Sequence, residues 1–219
     1  MRNVYVLALV EKPLAETAAS EHRIEFLPTR GIYAVVERRA SAPDMNEASL
    51  RAQHKMIVDL ARLCDPILPV RFGAWVPPDE LLALIESREG LLRDAFELVR
   101  HREQMTVRVF GKSALERSES MGTAESGTAY LERLRDAARP RLPPLAHSVR
   151  RAVGSLAIAE RLESGHGRMH IAVHHLIERG RSDRYRTLVR RAASTMPTDG
   201  ELMVSGPWPP FAFTPELWP

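Results

Sequence analysis

Four histidines fall within one short stretch, His166, His170, His174 and His175. Imidazole is both a common metal ligand and the side chain that titrates nearest to neutral pH. On an extended strand His170 and His174 share a face, with Ala172 between them, a spacing that could serve zinc. A zinc site needs three or four ligands, and neither a cysteine nor an acidic residue of matching spacing stands close by. The cluster therefore reads as structural or exposed histidines, and no metal is expected.

Other chemistry is thinner still. Gly111-Lys112-Ser113 resembles the end of a phosphate-binding loop, but Thr106 stands where the leading glycine is required, so the cradle is missing. No G-x-S-x-G elbow accompanies the scattered Ser, His and Asp residues. Cys64 is the sole cysteine and sits among Leu60, Ala61 and Leu63, which suits a small buried hydrophobe better than a nucleophile. Neither catalytic residues nor a cofactor site are expected. The charged residue that stands out is Arg71, set between apolar Val70 and Phe72 at the end of a short strand. Its role is either to pair with an acidic group or carbonyls at a domain junction or, with Phe72, to recognise a partner.

The elements that position these residues can be read from period and punctuation. Val4 to Val10 is strand-like, Arg23 to Leu27 is a weaker strand, and Ile32 to Glu37 follows Gly31 as a better one. A helix begins at an Asn46 N-cap, with Leu50, His54, Ile57, Val58, Ala61 and Leu63 as its apolar stripe, and stops at Asp65-Pro66. A short strand from Ile67 to Val70 precedes a second helix, from Pro78 or Asp79 to Val99, in which Gly90 marks a kink or a break. Met105, Val107 and Val109 then alternate with Thr106 and Arg108 in a half-buried strand. A helix carrying Tyr130, Leu131, Leu134 and Ala138 ends at the prolines 140, 143 and 144. Val153 to Leu162 and Met169 to Ile177 read as strands around Gly165-His166-Gly167, a helix spans 183 to 194, and Glu201 to Val204 is the last strand. The second half thus has the order β-α-β-β-α-β, that of a ferredoxin-like sandwich.

The chain closes on Gly206-Pro207-Trp208-Pro209-Pro210-Phe211-Ala212-Phe213. Proline donates no backbone hydrogen bond and biases its predecessor toward extended geometry, so this stretch should neither continue a helix nor sit inside a sheet. Trp208, Phe211 and Phe213 nevertheless need burial, worth up to about 3 kcal/mol per ring at roughly 25 cal/mol per Å². An extended tail docked in a groove of the body is expected, with a free proline-rich ligand for a partner as the alternative.

At 219 residues, with 44% hydrophobic and 27% charged residues, the chain has ordinary globular composition and room for two small domains. Its 31 basic residues are nearly balanced by 28 acidic ones, so a nucleic-acid partner is not implied. The arginine pairs 38-39, 150-151 and 190-191 read as solvated faces. A single cysteine fits a reducing, cytoplasmic setting, and neither a signal peptide nor an apolar run long enough for a membrane span is evident.

Four short boxes, in order, carry a resemblance to a known family. Gly31-Ile32-Tyr33-Ala34-Val35-Val36, Leu68-Pro69-Val70-Arg71-Phe72-Gly73, Gly127-Thr128-Ala129-Tyr130-Leu131 and the Ser205–Phe213 run are similar to boxes of the GvpF/GvpL family of gas vesicle proteins. Phe211 replaces a tyrosine of the family pattern, which removes a hydroxyl, and Val70 replaces a leucine. The resemblance implies an α+β fold of two domains, an N-terminal α+β domain (1–102) and a modified ferredoxin-like domain (103–205), bound together by the tail (206–219). It also implies a non-enzymatic accessory role in the cytoplasm and at the gas vesicle, with the hydrophobic shell protein and other accessory proteins as partners. The rival reading is an enzyme with a small-ligand site between the two domains, built on the histidines or Arg71.

Overall fold

The computed structural model describes residues 3–15, 19–20, 22–110, 144–165, 169–194 and 201–217. The chain divides into two compact units, Met1–Gln104 with Trp208–Pro219, and Met105–Pro207. Both mix helices with an antiparallel sheet, so the fold is α+β.

The first unit is organised by β1 (Val4–Val10), whose seven residues are all buried. So apolar and β-branched a strand can only sit at the centre of a sheet covered on both faces. Accordingly β1 pairs with β3 (Ile32–Glu37) on one side and β4 (Ile67–Pro69) on the other, β5 (Trp75–Val76) also pairs with it, and β2 (Glu25–Thr29) extends the sheet beyond β3. β2 and β3 form a hairpin whose two turn residues, Arg30 and Gly31, both have positive φ, at 45° and 75°. That geometry follows the right-handed twist of the strands, and it is why glycine is needed there.

Helix α1 (Glu47–Leu63) starts at Asn46, whose Oδ1 accepts from the Ser49 amide at 2.9 Å. Its buried residues are Gln53, Ile57 and Leu60, while Leu50 and Leu63 are 45% and 51% exposed. The stripe through Leu50, His54 and Leu63 is therefore corrected at those positions. Polarity hid the true face, because Gln53 is buried with both ends of its amide bonded, to Tyr5 and to the Val70 carbonyl. The second helix of the unit is two, α2 (Pro78–Ser87) and α3 (Glu89–Val99), parted at Arg88 rather than at Gly90. Glycine permits a break without requiring one. Here Arg88 leaves helical geometry at φ −115°, ψ 18°.

In the second unit the strands are β6 (Arg102–Phe110), β7 (Ala157–Ser164), β8 (Met169–Glu178) and β9 (Glu201–Trp208), arranged β7-β8-β6-β9. Helices α4 (Pro144–Val153) and α5 (Ser182–Ser194) cover one face. The core joins Met105, Val107 and Val109 of β6, Ile171, Val173 and Ile177 of β8, Leu145, Val149 and Val153 of α4, and Tyr185 and Val189 of α5.

Three expectations for this unit are corrected. Val153 closes a helix rather than opening a strand, since Pro144 suits the first turn and Leu145, Val149 and Val153 recur at helical spacing. Thr106 is buried, so β6 is covered on both faces there. The last strand runs to Trp208 and includes Pro207. β9 lies at a sheet edge, where a missing N–H costs no ladder bond. The helix expected around Tyr130 and the Gly127–Leu131 box, Gly111-Lys112-Ser113 and His166 all lie outside the described residues.

Candidate functional site

The Leu68–Gly73 box is held from beneath by β1 and α1. The Val70 amide donates to the Leu7 carbonyl at 2.9 Å, and the Gln53 side-chain amide donates to the Val70 carbonyl at 3.0 Å. Tyr5, 1% exposed, donates its hydroxyl to Gln53 and accepts from the Gly73 amide at 3.3 Å. Phe72 meets the Tyr5 ring edge-on at 6.1 Å, and the Arg39 guanidinium lies over that ring at 5.2 Å. The box is thus a fixed turn whose one charged side chain, Arg71, is 86% exposed and paired with Glu216.

The end of the chain meets the same turn. Trp208 and Phe211 flank His54 of α1, Trp208 edge-on at 5.1 Å and Phe211 stacked at 5.6 Å. Phe213, 2% exposed, is the deepest of the three rings, and Leu217 is buried after it. Phe211–Phe213 form one turn of 3₁₀ helix rather than extended chain. It is closed by the Phe213 amide donating to the Pro210 carbonyl at 3.0 Å. Gln104 Oε1 accepts from the Ala212 amide at 2.8 Å, and Arg88 donates to the Glu216 carbonyl. Proline thus leaves the backbone of this segment short of donors, and side chains at the α2–α3 break and on β6 supply part of what the missing ladder would.

The second unit holds the polar chemistry. His174 lies on the sheet face away from the helices, between Thr106 Oγ1 and Glu163 Oε2, each at 3.1 Å. His175 points into the helix-covered face, 2.6 Å from the Tyr185 hydroxyl and 3.1 Å from Glu160 Oε2, and Arg150 of α4 pairs with Glu160 at 3.0 Å. A carboxylate can only accept, so each imidazole donates through Nε2 and accepts the hydroxyl proton at Nδ1. One proton per ring satisfies these bonds. Burial favours that neutral form and pushes both pKa values below the ordinary histidine value, against the opposing pull of Glu163 and Glu160. Burial also raises the Tyr185 pKa, helped by Glu160. The arrangement can hold protons and fix a core.

His170 shares the strand but is not drawn into either set of bonds, and among the described residues no group of three His, Cys, Asp or Glu could hold a metal. Cys64 is 5% exposed and burial pushes its thiol up to about 11, so it is mostly protonated and unreactive at neutral pH. Sequence reasoning gave no role to Gln53, Gln104, Glu160 or Glu216, and saw His54 and Tyr185 only as parts of helix faces. The only signal available for them was a polar residue at a core-facing position, as at Gln53 and Tyr185.

No helix among the described residues is long and apolar enough to cross a membrane. No curated protein matches the chain by sequence. Two of the solved structures that share its fold are gas vesicle proteins. The gas vesicle protein GvpF from Anabaena sp. PCC7120 is 15% identical over 99% of both chains, with a TM-score of 0.74. GvpF from Microcystis aeruginosa is 12% identical over 99% of this chain and 100% of its own, with a TM-score of 0.77. The family model described as gas vesicle synthesis protein GvpL/GvpF matches residues 3–215, and by that match, across a turn, a tail and two sheets built as above, the chain belongs to the GvpL/GvpF family of gas vesicle proteins.

Proposed function

We propose that this protein is a non-enzymatic accessory factor of gas vesicle assembly, which binds the hydrophobic shell protein in soluble form in the cytoplasm and assists its incorporation into the vesicle wall. The observation that carries this reading is the family match over residues 3–215. A shell subunit with an apolar surface aggregates unless something covers it, and a protein offering apolar side chains on a soluble body can do so transiently. Met45, Leu50, Leu63 and Leu91 are such side chains in the first unit, and Met45 is 82% exposed.

In this reading the N-terminal α+β domain (1–102) carries most of the shell contact, and Arg71 with Phe72 contributes to it from the Leu68–Gly73 turn. The C-terminal domain (103–205), a ferredoxin-like sandwich with two helices on a β7-β8-β6-β9 sheet, supplies the scaffold. The tail (206–219) anchors the fold through Trp208, Phe211 and Phe213, and other accessory proteins join the assembly. Co-expression of the shell protein with the whole chain, and with none, tests the claim. Co-purification of a soluble complex that high salt weakens only in part is expected. Equal aggregation of the shell protein with and without this chain would remove the proposal.

A further inference from the structure

The two edges of the second sheet are not alike. At β9 the edge is guarded: Pro207 has no N–H to offer, and the Gly206 carbonyl is already taken by Arg186. At β7 no such guard is found among the described residues. Among the described residues β7 pairs with β8 alone, and residues 161–164 are all exposed, Leu162 at 42%. Eight residues of strand thus end the sheet, with no other described strand opposite their outward N–H and C=O groups.

The side chains on that edge are self-complementary. In the β7–β8 register Arg161 lies opposite His174, Glu163 opposite Ala172, and Leu162 opposite Val173. Arg161 and Glu163 therefore share one face of the sheet, and Leu162 points to the other. An antiparallel pair of β7 strands related by a two-fold axis through Leu162 sets Arg161 of each copy opposite Glu163 of the other, on the same face. It also sets Leu162 against Leu162, and Glu160 against Ser164. Any shift by one residue puts side chains of opposite faces together and is forbidden by the pleat. A shift of the axis to Arg161 or Glu163 faces like charges, which repel.

The groups needed are free to engage. Arg161 makes no ion pair among the described residues. Glu163 binds His174 through Oε2 and is 68% exposed at its side chain, so Oε1 remains for a second cation. We infer that the occupant of this edge is a second copy of the chain, and that two protomers join β7 to β7 into one continuous eight-stranded sheet, with Leu162 at the two-fold axis and two Arg161–Glu163 pairs beside it. The surface is isologous, which is the form a closed dimer takes.

Sedimentation equilibrium and charge reversal on the full chain test this. The wild type should dimerise with rising concentration. Arg161→Glu and Glu163→Arg should each weaken the dimer roughly tenfold, because two attractive cross-strand pairs become two repulsive ones. Together in one chain the two changes should restore it. Arg161 is exposed and bonds no other described side chain, so Arg161→Glu tests the dimer without a cost to folding, whereas Glu163→Arg also removes the Glu163–His174 bond and is read beside its melting temperature. Cross-linking gives a second, independent reading. Leu162→Cys should oxidise to a disulfide dimer, whereas Arg161→Cys should not, since its Cα would lie about 8 Å from its own copy, beyond disulfide reach. Buried Cys64 supplies no competing thiol. A chain that stays monomeric up to its solubility limit, a dimer indifferent to Arg161→Glu, or equal cross-linking at positions 161 and 162 would each overturn the inference.

Discussion

The two units solve the same problem, a sheet buried under helices, with opposite materials. In the first, the central strand β1 is apolar but for the Tyr5 hydroxyl, and the unit's ion pairs lie toward solvent, as between Arg30 and Glu86 or Arg71 and Glu216. In the second, the central strand β8 carries two adjacent buried histidines, one on each face, tied to Thr106, Glu163, Glu160 and Tyr185. Apolar burial is indifferent to pH and tolerant of geometry. A buried polar network fixes one arrangement, and it holds only while every member keeps its protonation state. The first unit should therefore yield to lost volume, and the second to protons.

The largest effect expected is on the volume side. Phe213→Ala removes a ring that is 2% exposed and should cost about 3–5 kcal/mol, as large-to-small changes at buried aromatics do. Hydrogen exchange resolved by residue should show the loss at β1 and β4 of the first unit, because the 3₁₀ turn packs on β4. A melting temperature and exchange pattern equal to wild type would break the contrast and return the tail to the status of a free ligand.

Next in size is the pH response. His174 and His175 are neutral in the fold, with pKa values lowered chiefly by burial from 6.5. The unfolded chain therefore binds more protons below that value. Their contribution to stability is fully present above pH 6.5 and is lost as pH falls through the folded pKa values. The groups facing them set how far it falls: Glu163 and Glu160 resist the loss, while Arg108 and Arg150 promote it. Lowering pH from about 7.5 to about 5.5 should reduce exchange protection of β7, β8 and α5 before that of β1 and β3, where no histidine lies in the strands. His174→Gln should flatten the slope. Protection falling first in the first unit would reverse the comparison.

The smallest effect belongs to the exposed pair. Arg71→Ala removes an ion pair whose two side chains are 86% and 61% exposed, and the median worth of such pairs is about 0–1 kcal/mol. Thermal stability should hardly move. If shell-protein binding falls while melting does not, Arg71 belongs to recognition. If both are unchanged, the arginine serves only as a solvated tie to Glu216.

Several parts of the fold were legible because local chemistry and global packing agreed. Val4–Val10 has no polar face to offer, so it could only be a central strand. Asn46 marks a helix start by capping it. Alternation at Met105, Val107 and Val109 gives the core face of β6. The misses share a cause: each needed knowledge of what the residue meets in space. Gln53 reads as a surface residue until Tyr5 and Val70 satisfy its amide. Leu50 and Leu63 read as core until the helix turns another face inward. Pro207 reads as the end of strand until β9 proves to be an edge.

By itself the sequence determined the α+β class, the four boxes that mark the family, and the pressure on Phe213 and its neighbouring rings to be buried, since composition, period and proline chemistry are local properties. Tertiary structure decided which carboxylate meets which histidine, that Glu216 returns to Arg71, and that β7 and β9 are the two edges of the second sheet. Those contacts join residues far apart along the chain, and sequence spacing carries no information about them until the sheets are formed.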